Sequence, residues 1–161
     1  GVLLLLTNPA AREELRQDPT LVPRAVEEVL RVPNPVETAG TAPPGGLPGL
    51  PRYANADIEV SAVTIHAGEL VLLDLQSGNL DERVFPTAET FDATREPNRH
   101  LTFGHGPHYC IGAPLARIEL QTLFGTLFQR FPTLELAVPP EALRPRSHLL
   151  TGGLVELPVT W

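Results

Sequence analysis

FGHGPHYCIG, residues 103–112, holds the only cysteine of this 161-residue chain, Cys110, and decides how the rest is read. Glycines stand at 104, 106 and 112, and His108 lies two positions before the sulfur. A helix-like segment opens directly afterwards. A thiolate is stabilised by a helix N-terminus, by backbone N–H groups and by glycines that let the main chain come close. Cys110 is therefore placed to ligate a metal, with haem iron as the leading candidate, since one axial thiolate pushes electron density onto iron to favour O–O cleavage. Two other readings stand beside this one. A lone cysteine is often a buried small hydrophobe. His105, His108 and Cys110 could also suggest zinc, although His66, His100 and His148 are scattered and no second cysteine supplies a fourth ligand.

Working outward, AVEEVLR (25–31) sets Glu28 and Arg31 one helical turn apart, which by itself could be an exposed ion pair. Together the two stretches resemble the cytochrome P-450 family. Phe103, Gly106, His108, Cys110 and Gly112 fill the fixed positions of its haem-binding signature, F-x-x-G-x-[HR]-x-C-x-G, and Glu28 and Arg31 fill its E-x-x-R mark. APLARIEL (113–120) looks like the helix after the haem loop in bacterial members, and the chain aligns in order from GVLLLLTNP to GLVELPVTW.

The resemblance implies an α+β fold, mainly helical, corresponding to the C-terminal part of the cytochrome P-450 fold: helices, small β-sheets and a haem-binding loop. Residues 1–161 would form one partial domain, lacking the N-terminal region and most of the central oxygen-activating helix, so no catalytic residue is assigned. Cys110 would be the iron ligand. Phe103, Gly104, Gly106, His108 and Gly112 would surround the haem, with Arg52 paired to a propionate. Glu28 and Arg31 would form a buried structural pair. Substrate contacts would fall at Val36, Glu37, Thr38, Ala39 and Thr151. The implied activity is insertion of one oxygen atom from O2 into an organic molecule, typically hydroxylation in secondary metabolism. It would use haem b, a ferredoxin and its reductase, and electrons ultimately from NAD(P)H. The alternative is a truncated haem-binding or structural fragment that needs an N-terminal partner. One departure from the family pattern is AETF (88–91), where Thr90 stands at a position usually held by arginine; Arg95 or His100 is a candidate to take its place.

Composition narrows the partners. A formal net charge of −7 argues against nucleic acid or an anionic membrane. All 12 basic residues are arginine, which together with much Pro, Ala, Leu and Gly suggests a high-GC bacterial source. One cysteine allows no intrachain disulfide and fits a reducing, cytoplasmic compartment. The LLLL run at 3–6 is too short to span a bilayer and reads as the end of a buried helix.

The remaining elements follow from punctuation. Asn8 and Pro9 predict a capped helix to Asp18. Leu21 to Arg31 predicts a second, with Val22, Ala25 and Val29 inward and Pro33 and Pro35 beyond its end. GTAPPGGLPGLP (40–51) reads as a loop, and looks like an insertion against the family pattern. Residues 52–75 alternate as two or three strands, with turns at 61–62 and 67–68. Residues 76–100 read as irregular, anchored by Phe85 and Phe91. Ala113 to Arg130 predicts a long helix with Leu115, Ile118, Leu123 and Leu127 on its apolar positions. Short strands and turns fill the last thirty residues, with a hairpin at 150–154.

Overall fold

A computed structural model describes residues 1–33, 49–146 and 153–161. The expected substrate contacts Val36, Glu37, Thr38, Ala39 and Thr151 lie outside the described residues, as does most of the 40–51 loop.

Four helices build the core. α1 (Val2–Thr7) buries Leu3, Leu4 and Leu5, as the leucine run predicts. α2 spans Pro9–Gln17 and α3 spans Val22–Arg31. α5 (Ala113–Arg130) begins with Pro114 in its first turn and stops at Phe131, whose non-helical backbone precedes Pro132. Val22, Ala25 and Val26 of α3 meet Phe124 and Phe128 of α5, with Leu5, Leu15, Ala93 and Leu134 completing one apolar cluster. Fully burying a side chain of the size of Leu5 or Val26 stabilises by about 1.5–3 kcal/mol.

Two expectations fail locally. Asn8 does not cap α2 with its side chain: its Nδ2 donates to the Leu4 carbonyl at 2.8 Å and so closes α1 instead. On α5, Leu115, Ile118 and Leu123 are exposed, whereas Phe124 and Phe128 are buried. Apolar residues run round the whole helix, so spacing alone does not choose the inward face, and the larger aromatic rings take the core.

The 52–75 region forms four strands rather than two or three. β1 (Leu50–Tyr53) pairs antiparallel with β4 (Leu70–Leu73), and β2 (Ile58–Val60) with β3 (Val63–Ile65). The β2–β3 hairpin is thus nested within the β1–β4 connection. Ser61 adopts φ +54 to close that hairpin, and Asp57 Oδ1 accepts the Ala67 N–H at 2.9 Å to fix the second turn. The next stretch also holds a helix the sequence reading missed, α4 (Leu75–Asn79), capped by Asp74, which accepts from the Ser77 N–H at 2.9 Å. β5 (Glu135–Leu136) and β6 (Val159–Thr160) close the described end, and Pro145 bridges to Leu154.

Candidate functional site

The 103–112 loop is built by its own backbone. The Cys110 N–H donates to the Phe103 carbonyl at 2.9 Å, the Gly104 N–H to Leu101 at 2.7 Å, and the Tyr109 N–H to Gly106 at 3.0 Å. Gly104 and Gly106 hold φ +74 and +71, the left-handed region that side-chain-bearing residues rarely adopt. Gly112 differs: its φ is −81, and an added Cβ would meet Cys110 Sγ at an ordinary 3.7 Å. Among the described residues, nothing therefore demands glycine at 112. Cys110 sits three residues before the first residue of α5, its carbonyl accepting the Ala113 N–H at 3.2 Å.

The outer side of this loop is open. Cys110, His105 and His108 are exposed, Tyr109 is half-exposed, and Ile111 is exposed in full. A Cβ placed on Gly106 would meet nothing within 4 Å. Among the described residues, no three His, Cys, Asp or Glu side chains converge as a metal cluster. Among the described residues Cys110 offers a single ligand, an arrangement that suits a metal carrying its other ligands with it, as iron does in a porphyrin. The exposed thiol, the glycine-lined backbone and the uncovered apolar Ile111 fit such a flat, apolar, metal-bearing group.

Behind the loop lies a polar cluster. Arg117 of α5 places Nε 2.7 Å from Glu27 Oε1 and Nη2 2.9 Å from Oε2, a two-pronged pair. Its Nη1 donates to the Tyr109 hydroxyl at 2.9 Å, and its guanidinium lies 4.8 Å from the Phe103 ring centroid. His100 Nδ1 accepts the Thr102 N–H at 3.2 Å, which leaves the ring proton on Nε2, 3.1 Å from Glu27 Oε2. Burial of Glu27 would raise its pKa, but hydrogen bonds from Arg117 and His100 outweigh this and hold it below the ordinary carboxylate value. Burial pushes His100 down, against the pull of Glu27.

A second cluster joins α3 to the segment before the loop. Glu28 and Arg31 are both fully buried, with Arg31 Nε and Nη2 each 2.8 Å from a different Glu28 oxygen. Arg31 Nη1 donates to the Asn79 carbonyl at 2.8 Å, and its guanidinium stands 5.2 Å from the Phe85 ring centroid. Glu28 also accepts from Arg95 Nε at 3.1 Å, from the Asp92 N–H at 3.0 Å and from Asn98 Nδ2 at 2.9 Å. Burial alone would raise the Glu28 pKa; Arg31, the Asp92 N–H and Arg95 reverse that and lower it. Thr90, at the position usually held by arginine, contributes only its carbonyl, to Arg95 at 3.2 Å and to Arg31 at 3.4 Å. Asn79 is buried as well: its Oδ1 accepts the Leu101 N–H at 2.6 Å and its Nδ2 donates to Thr102 Oγ1 at 2.9 Å. Thr102 Oγ1 in turn donates to the Leu30 carbonyl at 2.6 Å, so the residues leading into the loop are tied to α3.

Arg52 lies apart from these groups. It is exposed on β1 opposite Val71, its Nη1 donating to the Pro51 carbonyl, and among the described residues no hydrogen bond or ion pair joins it to the 103–112 loop. The sequence reading missed Glu27, Asn79, Asn98, Tyr109 and Arg117. The adjacent acid in the EE doublet and the arginine in APLAR were the available signals.

The sequence profile of the Cytochrome P450 family matches residues 4–154. Pentalenolactone synthase of Streptomyces exfoliatus is 47% identical over 162 residues, covering 100% of this chain and 39% of that protein. Mycinamicin IV hydroxylase/epoxidase of Micromonospora griseorubida is 46% identical, covering 99% of this chain and 38% of that protein. Among solved structures, Streptomyces peucetius CYP105P2 in complex with a biphenyl compound superposes with a TM-score of 0.86 at 47% identity, covering 100% of this chain and 38% of that one. The chain thus spans about two-fifths of the length of the relatives it matches.

Proposed function

Because the chain belongs to the cytochrome P450 family, we propose that the intact protein is a haem-thiolate monooxygenase and that this chain is its C-terminal, cysteine-bearing region. The observation that carries the reading is a single exposed thiol, Cys110, on a glycine-shaped loop just ahead of α5. When bound, haem b would supply the activation of O2 and the transfer of one oxygen atom to an organic substrate.

In this reading the chain's own residues bind, orient and shield. Cys110 Sγ would be the iron ligand, placed just ahead of the N-terminal end of α5. Phe103, whose ring stands against His100, Tyr109 and Arg117, would tune the site through local polarity. Gly104 and Gly106 turn the backbone, and Gly112 leaves its cofactor-facing side free. His108 and Arg52 would pair with the carboxylates of the group. Glu28 and Arg31 brace the core on which the loop rests. Substrate contacts are assigned to Val36, Glu37, Thr38, Ala39 and Thr151.

The relatives' names support a role in secondary metabolism, since they include a pentalenolactone synthase and a mycinamicin hydroxylase/epoxidase. Electrons would come from NAD(P)H through a ferredoxin and its reductase, in the cytoplasm. Among the described residues, no helix is long and apolar enough to cross a membrane.

The test is the reduced, carbon-monoxide-bound absorption spectrum of the intact protein. A Soret band at the long-wavelength position of thiolate-ligated haem, lost in Cys110→Ala, is the expected result. Haem bound with the same spectrum in Cys110→Ala would end this reading.

A further inference from the structure

One guanidinium touches two residues of the cysteine loop, both N-terminal to the sulfur. Arg117 Nη1 takes the hydroxyl of Tyr109, the residue immediately before Cys110, at 2.9 Å. The same group lies 4.8 Å from the ring centroid of Phe103, whose carbonyl receives the Cys110 N–H at 2.9 Å. The guanidinium is itself oriented from α3, because Glu27 grips it at 2.7 and 2.9 Å and is steadied in turn by His100. His100 closes the circle, its ring 5.8 Å from that of Phe103. A planar, forked cation is the group that can hold a carboxylate, a phenol oxygen and an aromatic face at once; a lysine ammonium lacks the fork.

We propose that Arg117, oriented by Glu27, is a positioning residue for the cysteine loop: it pins Tyr109 and Phe103 and thereby fixes where Cys110 Sγ points. The inference rests on the haem-thiolate reading for its consequence, but the pinning itself is a property of this chain. On the loop's outer side Ile111 is exposed in full. Among the described residues, the side-chain contacts that restrain the loop come from the other side, where Arg117 lies. A loop left free on that side would sample a wider range of sulfur positions.

The test compares the intact haem-loaded protein with Arg117→Lys, Glu27→Gln and Tyr109→Phe. Amide hydrogen exchange at Tyr109 and Cys110 reports the pinning directly. It is expected to speed up about tenfold in Arg117→Lys and about threefold in Tyr109→Phe, the sizes of a charged and a neutral hydrogen bond. Glu27→Gln is expected to fall between them. The carbon monoxide complex is expected to gain a shorter-wavelength Soret component in the same order, while the thermal midpoint of Tyr109→Phe stays at the wild-type value. Should Arg117→Lys fail to fold, Tyr109→Phe still decides, because it removes only one half-exposed hydroxyl. Unchanged exchange at Tyr109 and Cys110 in the folded variants would overturn the inference. A wild-type protein without the long-wavelength band would instead sink the thiolate reading, and the exchange comparison would still decide whether Arg117 pins the loop.

Discussion

Arg95 Nε reaches Glu28 Oε1 at 3.1 Å across 67 positions of sequence, and its side chain is 8% exposed. Arg95 is therefore the second arginine on the buried glutamate of α3, although the family pattern places an arginine at position 90. It also donates to the carbonyls of Pro86 at 2.8 Å and Thr90 at 3.2 Å, so one side chain fastens the 86–95 segment to α3.

Removing either arginine should hurt unequally. Arg31→Met leaves Glu28 without its two-pronged partner and is expected to cost about 3–5 kcal/mol, the range for breaking a buried pair. Arg95→Gln leaves that partner in place and is expected to cost about 1–3 kcal/mol. Urea unfolding of the intact protein measures both, and equal losses would contradict this division.

Position 90 offers a complementary experiment. The Glu28 oxygens already receive Arg31, Arg95, Asn98 and the Asp92 N–H. Thr90→Arg alone should therefore change stability by less than about 0.5 kcal/mol, as for an ordinary surface substitution. Combined with Arg95→Gln, it should restore part of the loss. A double variant no better than Arg95→Gln would show that position 90 does not reach Glu28 in this chain.

Acid should weaken the fold in two stages. The folded pKa of His100 is below its ordinary value of 6.5, so the unfolded chain takes up this proton first. Its contribution is complete above about pH 6.5 and is lost as pH falls from there toward the folded value. Glu27 and Glu28, both below the ordinary 4.5, contribute fully above that pH and lose their contribution as pH falls through their folded values. Denaturation midpoints followed down the pH scale, with and without His100→Gln, separate the two stages. A first stage that persists in His100→Gln would assign it to another group.

The glycines of the loop should separate by backbone conformation. Gly104→Ala and Gly106→Ala force a Cβ into the left-handed region and are expected to destabilise by about 1–2 kcal/mol each. Gly112→Ala faces no such strain within the chain. Its expected signature is weaker haem retention with little change in the melting of the haem-free protein. Equal melting losses at all three positions would refute this.

The inward face of α5 can be checked by truncating its aromatic anchors. Phe124→Ala and Phe128→Ala are each expected to cost about 3–5 kcal/mol, because both rings are buried against α3 and its neighbours. Losses near 1 kcal/mol, estimated as for an average substitution, would place these rings at the edge of the core.

The sequence by itself determined the elements whose rules are local. Pro114 and Phe131-Pro132 bound α5 because proline fits a first turn and cannot continue a last one. The glycine spacing around Cys110 and the turn between Glu28 and Arg31 were likewise readable as short-range patterns. Tertiary structure alone decided the rest. Leu115 and Phe124 are both apolar, and only the packing against α3 says which one is inside. Asn8 could have capped α2 with its Oδ1, but its side chain turns back to donate from Nδ2 to the Leu4 carbonyl. Arg95 on Glu28 and Arg117 on Glu27 join residues 67 and 90 positions apart. No periodicity links such residues. A buried carboxylate must find its donors wherever the fold brings them, because leaving it unpaired costs more than any local preference supplies.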